Sequence, residues 1–292
     1  MATNITGMDF GLSEAIAGHK VEVGDKVWRV MEPFIDSFQH HNPVVDNLTK
    51  FLEGIVPLLT ILPPVYMVVI FGVGAYLLSR RWVLAVGTVI GFVVLLNLGF
   101  WQTAMETLSL VVSASLVCLL IAIPLGTYLA RHPKSYKFFE PVLDMMQVVP
   151  TFVYLIPALV LFGLGMVPGI FATVIFVVPT PVRLVYTALS SVPKSLQETA
   201  DSFGATKWQR LRLIDYPYAL PFLLQALNQT IMLSLSMVVI AALVGAAGLG
   251  VPVVRALNQV NVGMGVEGGL AIVIVAIIMD RLLRSLSSRT EK

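Results

Sequence analysis

Charged side chains are scarce in this chain of 292 residues, of which 12% are charged and 57% are hydrophobic. A soluble globular domain has about a quarter of its residues charged, so the composition excludes that class. The mean hydropathy of +0.86 indicates instead a protein embedded in lipid, where each spanning helix needs about 20 apolar residues.

Cysteine and recognisable catalytic motifs are also lacking. The only cysteine, Cys118, excludes an internal disulfide and a cysteine-based metal cluster. The adjacent His40 and His41 do not share a helix face, so we expect no metal site. The chain has no G-x-x-x-x-G-K-S/T phosphate loop and no H-E-x-x-H or G-x-S-x-G motif. We therefore expect a protein that is not an enzyme and holds no cofactor of its own.

Apolar sequence is abundant and falls into seven long runs. These predict an all-α integral membrane protein with about seven transmembrane helices. Residues 55–292 form the predicted transmembrane domain, and residues 1–54 form a polar or amphipathic tail. The pattern of the tail fits a helix on the membrane surface and a loosely ordered segment equally well. The runs cover residues 55–79, 82–100, 104–130, 142–163, 168–189, 219–245 and 267–283.

Lysine and arginine placement predicts the orientation of these helices. If the N-terminus is outside, almost all basic residues of the connecting segments fall on one side, and the short loops opposite hold only Arg255. Basic loops remain in the cytoplasm, so we expect the tail outside and the C-terminus inside. The basic side collects Arg80, Arg81, Arg131, Lys134, Lys137, Lys194, Lys207, Arg210, Arg212, Arg281, Arg284, Arg289 and Lys292.

A charged segment, residues 194–217, interrupts the apolar sequence. Residues 198–217 hold six charged side chains, and placing these at mid-bilayer would cost on the order of 15–20 kcal/mol, so the segment must lie outside the membrane. We predict two short helices joined by a turn at Gly204, with Pro217 ending the second helix and Pro221 opening the next span. Its apolar stripes suit either a docking surface or an ordinary loop packed on its own bundle. The predicted stripes are Leu196, Ala200 and Phe203, then Trp208, Leu211 and Ile214.

The spacing of this segment, E-T-A-x₃-G-x₉-I-x-x-P, resembles the loop of permease subunits of ABC importers, usually E-A-A-x₃-G-x₉-I-x-L-P. Thr199 and Tyr216 depart from that pattern. The resemblance implies that the segment is a coupling hairpin seated in a groove of a cytoplasmic ATPase subunit. The residues implied in coupling are Glu198, Thr199, Ala200, Phe203, Gly204, Trp208, Ile214 and Pro217.

Over a core of about residues 100–287 the chain resembles the glycine betaine, proline betaine and choline branch of these permeases. The matching segments are 146–157, 162–165, 228–240, 245–250 and 278–281. The resemblance implies a type I ABC importer permease fold with a MetI-like core in a bacterial inner membrane. It further implies a homodimer of permeases, an ATPase dimer that binds ATP and Mg²⁺, and an extracytoplasmic substrate-binding protein, with no nucleic-acid partner.

The substrate is less closely defined than the family. Trimethylamine N-oxide, dimethylsulfoniopropionate, proline or histidine would suit the same type of importer, because the binding protein selects the solute. A stand-alone osmotic channel or an ion-coupled transporter is a more distant alternative from the same apolar composition. A channel has no need of the hairpin, and its transport would persist without ATP.

Polar and aromatic side chains within the apolar runs are candidates for a translocation path. A side-chain amide within the membrane is costly unless it is hydrogen-bonded to a protein group or to water. Aromatic rings attract quaternary ammonium groups. The alternatives are hydrogen bonds that fix helix packing and aromatic anchors at the membrane surface. Arg183 is expected either to reach the membrane surface or to pair with Asp144 or Glu140. The candidate path residues are Gln147, Phe152, Tyr154, Asn228, Gln229, Ser234 and Ser236.

Overall fold

The computed structural model describes residues 61–290 continuously, except the side chains of 287–290, together with residues 29, 32, 33, 57 and 59. The chain divides into two compact units, Met1–Asn42 and Pro43–Lys292, and the second contains every element below. The surface helix or loose segment expected within residues 1–54 lies almost wholly outside the described residues.

All regular structure between residues 61 and 290 is helical, which confirms the predicted all-α class. One five-residue π-turn, Leu211–Asp215, joins α9 to α10. The helices are α1 Pro64–Ser79, α2 Trp82–Asn97, α3 Trp101–Arg131, α4 Pro133–Val148, α5 Thr151–Phe162, α6 Met166–Val177, α7 Pro179–Ser190, α8 Lys194–Ser202, α9 Lys207–Arg210, α10 Tyr216–Ser236, α11 Val238–Ala242, α12 Gly250–Gln259 and α13 Val262–Thr290.

Three helical segments in the described part of the chain are long and apolar enough to cross a membrane: Trp101–Arg131, Met166–Ser190 and Val262–Leu286. A bent pair, α4 with α5, would make a fourth. The apolar helices α1 and α2 are shorter, at 16 residues each. Seven spans were expected from the seven apolar runs, whereas the described residues contain three or four helices long enough to span. The orientation of the bundle stays a prediction.

The run 142–163, expected as one span, is broken in two. Helices α4 and α5 meet at an angle of 92°. Val149 has extended backbone angles, φ −62° and ψ 127°, and Pro150 follows it. Proline lacks a backbone N–H and disfavours helical geometry in the residue before it, which explains the break.

Close contact between α3 and α7 places the charged segment, because α7 leads directly into it. A Cβ atom on Gly126 of α3 would lie 2.7 Å from the Val185 side chain and 2.9 Å from the Val182 carbonyl oxygen of α7. The neighbouring Leu129, Val182 and Val185 are fully buried. The packing of the C-terminal end of α3 against α7 therefore depends on the absence of a side chain at residue 126.

Candidate functional site

The segment 194–217 forms the expected helical hairpin. Helix α8 ends at Ser202, and Gly204 takes the left-handed conformation with φ +75°. The Gly204 N–H donates to the Asp201 carbonyl at 3.0 Å, and the Ala205 N–H donates to the Ala200 carbonyl at 3.1 Å. No atom lies within 4 Å of a Cβ built on Gly204, so backbone conformation, and not space, requires glycine there.

A reciprocal capping box starts the second arm of the hairpin. The Thr206 hydroxyl accepts from the Gln209 N–H at 3.3 Å, and the Thr206 N–H donates to the Gln209 side-chain oxygen at 2.8 Å. The T-x-x-Q spacing was a readable signal for this start, although the predicted sites did not include it.

The second arm was expected to end at Pro217, but it continues past that residue. The chain passes from α9 through the π-turn into α10, with Pro217 in the first turn of α10 and Pro221 inside it. In an α-helix a proline ring clashes with the carbonyl group four residues earlier, here that of Leu213. The wider π-turn includes Leu213, so the helix continues past Pro217.

The two predicted stripes of the hairpin each divide between interior and surface. Ala200 and Leu211 are buried, whereas Phe203 is 88% and Trp208 is 65% exposed. Leu213, which sequence reasoning did not select, is 69% exposed. The hairpin thus exposes three large apolar side chains to solvent, while Ala200 and Leu211 pack in its interior.

The two departures from the family pattern face inward or bond within the hairpin. The Thr199 hydroxyl donates to the Ser195 carbonyl at 2.7 Å, within α8. The Tyr216 hydroxyl lies 2.9 Å from the Thr127 hydroxyl of α3, which itself donates to the Ile123 carbonyl at 2.6 Å. Tyr216 is therefore the donor in this pair and ties the base of the hairpin to α3.

Charged groups fix the hairpin on its inner side. Arg210 donates to both carboxylate oxygens of Asp201, at 3.1 and 3.3 Å, and Arg131 of α3 donates to the Lys207 carbonyl at 2.9 Å. A cavity of about 390 Å³ separates the hairpin from the end of α3. Asp215 lines this cavity, and burial raises its pKa above the ordinary value, although Arg210 and Arg131 act in the opposite direction.

Residues 122–292 match the family described as the binding-protein-dependent transport system inner membrane component. That match covers more than half of the chain. The chain belongs to this family. It is 39% identical over 268 residues to the glycine betaine/carnitine transport permease protein GbuB of Listeria monocytogenes, covering 89% of this chain and 95% of that protein. It is 41% identical over 250 residues to the glycine betaine/proline betaine transport system permease protein ProW of Escherichia coli, covering 84% and 70%.

The fold of the permease also resembles a solved structure. A chain from the inward-facing MetNI methionine ABC transporter aligns with a TM-score of 0.61 at 21% identity, covering 66% of this chain and 96% of that one. The expected MetI-like fold is thereby confirmed. As a member of the family, the permease is a non-catalytic, multi-pass inner-membrane subunit that works with a separate ATPase and a substrate-binding component.

The candidate path residues of the permease do not converge on one site. Gln147 of α4 donates to the Thr180 hydroxyl of α7 at 2.7 Å, and the Tyr154 hydroxyl donates to the Met146 carbonyl across the α4–α5 bend at 2.6 Å. Phe152 is exposed on α5. Arg183 pairs with Asp144 at 2.5 Å, which confirms one of the two partners expected for it. These contacts join α4 to its neighbours.

The remaining candidates lie on α10. The Asn228 amide donates to Asp280 of α13 at 3.2 Å, and Asn228 lines a cavity of about 330 Å³ together with Gln229. The Ser234 hydroxyl donates to the Thr230 carbonyl at 2.9 Å, and that of Ser236 donates to the Met232 carbonyl at 3.1 Å. Most of these polar side chains are therefore hydrogen-bonded to other groups within or between helices, although the Asn228 Oδ1 atom has no partner. Their role in translocation stays a prediction.

Proposed function

We propose that the permease imports a small quaternary-amine osmolyte, glycine betaine foremost, and that hairpin 194–217 transmits the action of the ATPase to the membrane helices. The names of the relatives at about 40% identity support the substrate. The observation that carries the coupling role is an apolar surface, Phe203, Trp208 and Leu213, on a charged hairpin outside the candidate spans. A protein partner would remove this surface from water.

The hairpin has two features that a transmitting element needs. Its outer surface carries Phe203 and Trp208 together with exposed Glu198 on α8. Its inner side is tied to α3 through Tyr216 and Lys207, and to α7 by direct chain continuity after Pro193. ATP and Mg²⁺ bound in the partner would drive closure of the ATPase dimer, and the hairpin would pass that motion to the helices.

Two copies of the permease would form the pathway. A single chain leaves large apolar side chains exposed on the bent pair α4–α5, including Phe138 at 75% and Ile156 at 66%. These surfaces can contact lipid or a second copy. Co-purification of two differently tagged permeases, coexpressed with the ATPase, tests the dimer; recovery of only one tag would contradict it.

The coupling role is tested in proteoliposomes that contain the permease, its ATPase and its binding protein. We expect Phe203→Ala and Trp208→Ala to reduce solute-stimulated ATP hydrolysis and uptake together, by about tenfold, because they remove buried contact area at an interface. Trp82→Ala is the matched control, since Trp82 is 70% exposed, close to the 65% of Trp208, but lies on α2. Wild-type stimulation in both hairpin variants would contradict the proposal.

The substrate is tested separately with the purified binding protein. Titration against glycine betaine, proline betaine, choline, trimethylamine N-oxide, dimethylsulfoniopropionate, proline and histidine should give the tightest binding for a betaine. Tightest binding of proline or histidine would overturn the quaternary-amine proposal and leave the coupling proposal intact. Uptake that persists without ATP would instead favour a channel or an ion-coupled transporter.

A further inference from the structure

Arg210 stands between two carboxylates of the hairpin. On one side its Nη1 atom donates to both oxygens of Asp201, the acidic residue near the end of α8. On the other side its Nε atom lies 4.0 Å from an oxygen of Asp215, in the π-turn. That second distance is too long for a hydrogen bond. Arg210 is thus hydrogen-bonded to the first arm of the hairpin. It lies close to the base of α10 but does not bond to it.

The second pair is incomplete at both ends. The Arg210 Nε and Asp215 Oδ1 atoms are both buried and lack a hydrogen-bond partner. The Asp215 side chain is only 9% exposed, so water compensates little. A buried polar atom without a partner is costly. The Asp215 oxygen nearest to Arg210 Nε is Oδ2, so an approach of the two residues with a rotation that turns Oδ1 toward Nε would give both unpartnered atoms a hydrogen bond.

The surrounding backbone and space permit such an approach. Asp215 closes the π-turn, in which the Tyr216 N–H bonds five residues back to the Leu211 carbonyl. Single π-turns within helices frequently mark functional sites. The cavity of about 390 Å³ beside the turn is lined by Arg131, Lys207, Arg210 and Asp215. Arg210 can therefore move toward Asp215 without displacing packed apolar side chains.

We propose that Arg210 is a positioning residue that exchanges partners, from Asp201 to Asp215, as the hairpin pivots on the π-turn during transport. This inference rests on the proposed coupling function of the hairpin. With Arg210 on Asp201, α8 and α9 are held together, as observed. With Arg210 on Asp215, α9 is tied to the base of α10 and α8 is released. Because one ion pair replaces another, a modest push from the ATPase selects the state.

The exchange is tested in the complete importer by measuring uptake and ATP hydrolysis separately. Asp215→Asn removes the second partner with little change of shape, and Asp201→Asn removes the first. We expect each variant to keep ATP hydrolysis but to move about tenfold less solute for each ATP hydrolysed. The double variant should be no worse than either single one, since either loss already prevents the exchange.

Two further variants separate positioning from simple structural support. Arg210→Gln should lower the ratio of solute moved to ATP hydrolysed. Arg210→Lys keeps the charge and should restore part of that ratio. Glu140→Gln is the matched control, because Glu140 is an exposed carboxylate on α4 outside the hairpin, and its ratio should equal that of the wild type. Loss of folding would lower uptake and hydrolysis in parallel, leaving the ratio unchanged.

The outcomes distinguish this inference from the coupling proposal on which it rests. If Asp201→Asn and Asp215→Asn both transport with the wild-type ratio while Phe203→Ala abolishes stimulation, the exchange is overturned and coupling stands. If Phe203→Ala also leaves stimulation unchanged, the coupling proposal itself fails. Should Asp215→Asn not fold, the exposed Asp201 still decides: a wild-type ratio in Asp201→Asn overturns the exchange.

Discussion

At the scale of single residues, Gly204 and Asp215 illustrate what a sequence can and cannot reveal. Gly204 is visible as a lone glycine between two short amphipathic segments, and its φ of +75° agrees with that reading. The pairing of Arg210 with Asp201 and its approach to Asp215 are not visible. The pairing depends on how the two arms fold onto each other, and the approach to Asp215 depends on the π-turn. Pro217 signals a disturbance of the α-helix there, but a proline in the sequence does not show that the chain forms a π-turn instead of ending the helix.

Substitution of Gly204 should destabilise the hairpin. A side chain in the left-handed region costs about 1–2 kcal/mol, so Gly204→Ala should increase hydrogen exchange in residues 194–217. Gly269→Ala is the control, because Gly269 lies in α13 and a Cβ there meets nothing within 4 Å. Alanine in that helix should be neutral or slightly stabilising. Equal exchange in the two variants would contradict the assigned role of the turn.

Asp215 should make stability depend on pH in a defined direction. Burial raises the pKa of this carboxyl in the folded protein, so its contribution to stability is complete below the unfolded pKa and is lost as pH rises through the folded pKa. Asp215→Asn should therefore be more thermostable than the wild type at pH 7, with a difference that shrinks toward pH 4. Thermal unfolding in detergent measures this. A destabilised Asp215→Asn at neutral pH would show that the charge is compensated.

At the scale of helices, apolar runs located most elements but not their breaks. Runs 104–130 and 267–283 correspond to single helices, Trp101–Arg131 and Val262–Thr290. Run 142–163 has the same apolar character but contains the 92° bend before Thr151. Hydropathy measures the cost of contact with water and carries no information on direction, whereas the proline at residue 150 does. The break was therefore readable only by giving proline more weight than the apolar pattern.

Gly126 tests the contact between α3 and α7. We expect Gly126→Ala to destabilise the permease by about 1–3 kcal/mol, because the new methyl group would overlap Val185 and a backbone carbonyl at 2.7 and 2.9 Å. Gly87→Ala, in α2, is matched in helical setting but meets nothing within 4 Å and should be tolerated. Thermal unfolding of the two purified variants gives the comparison; similar midpoints would mean that the helices adjust without cost.

At the scale of the whole molecule, two contacts place the hairpin and the start of α12 at opposite ends of α3. Arg131 bonds to Lys207 of the hairpin, whereas the Thr107 hydroxyl accepts from the Leu249 N–H at 2.8 Å, just before α12. Thr107 and Arg131 lie about 36 Å apart along an α-helix, more than the roughly 30 Å of a bilayer core. Together with the basic residues near the hairpin, this geometry predicts that the α12–α13 turn faces outward.

The orientation can be tested with single cysteines in the natural sequence, because its only cysteine, Cys118, is fully buried. Phe203→Cys lies in the hairpin, and Val260→Cys lies in the α12–α13 turn, where Val260 is 84% exposed. In intact cells an impermeant thiol reagent should label Val260→Cys, whereas Phe203→Cys should react only after the membrane is opened. The unsubstituted permease should remain unlabelled in both conditions. Labelling of Phe203→Cys in intact cells would show that the topology is the reverse of the predicted one. The hairpin would then lie outside the cell, where no ATP is available.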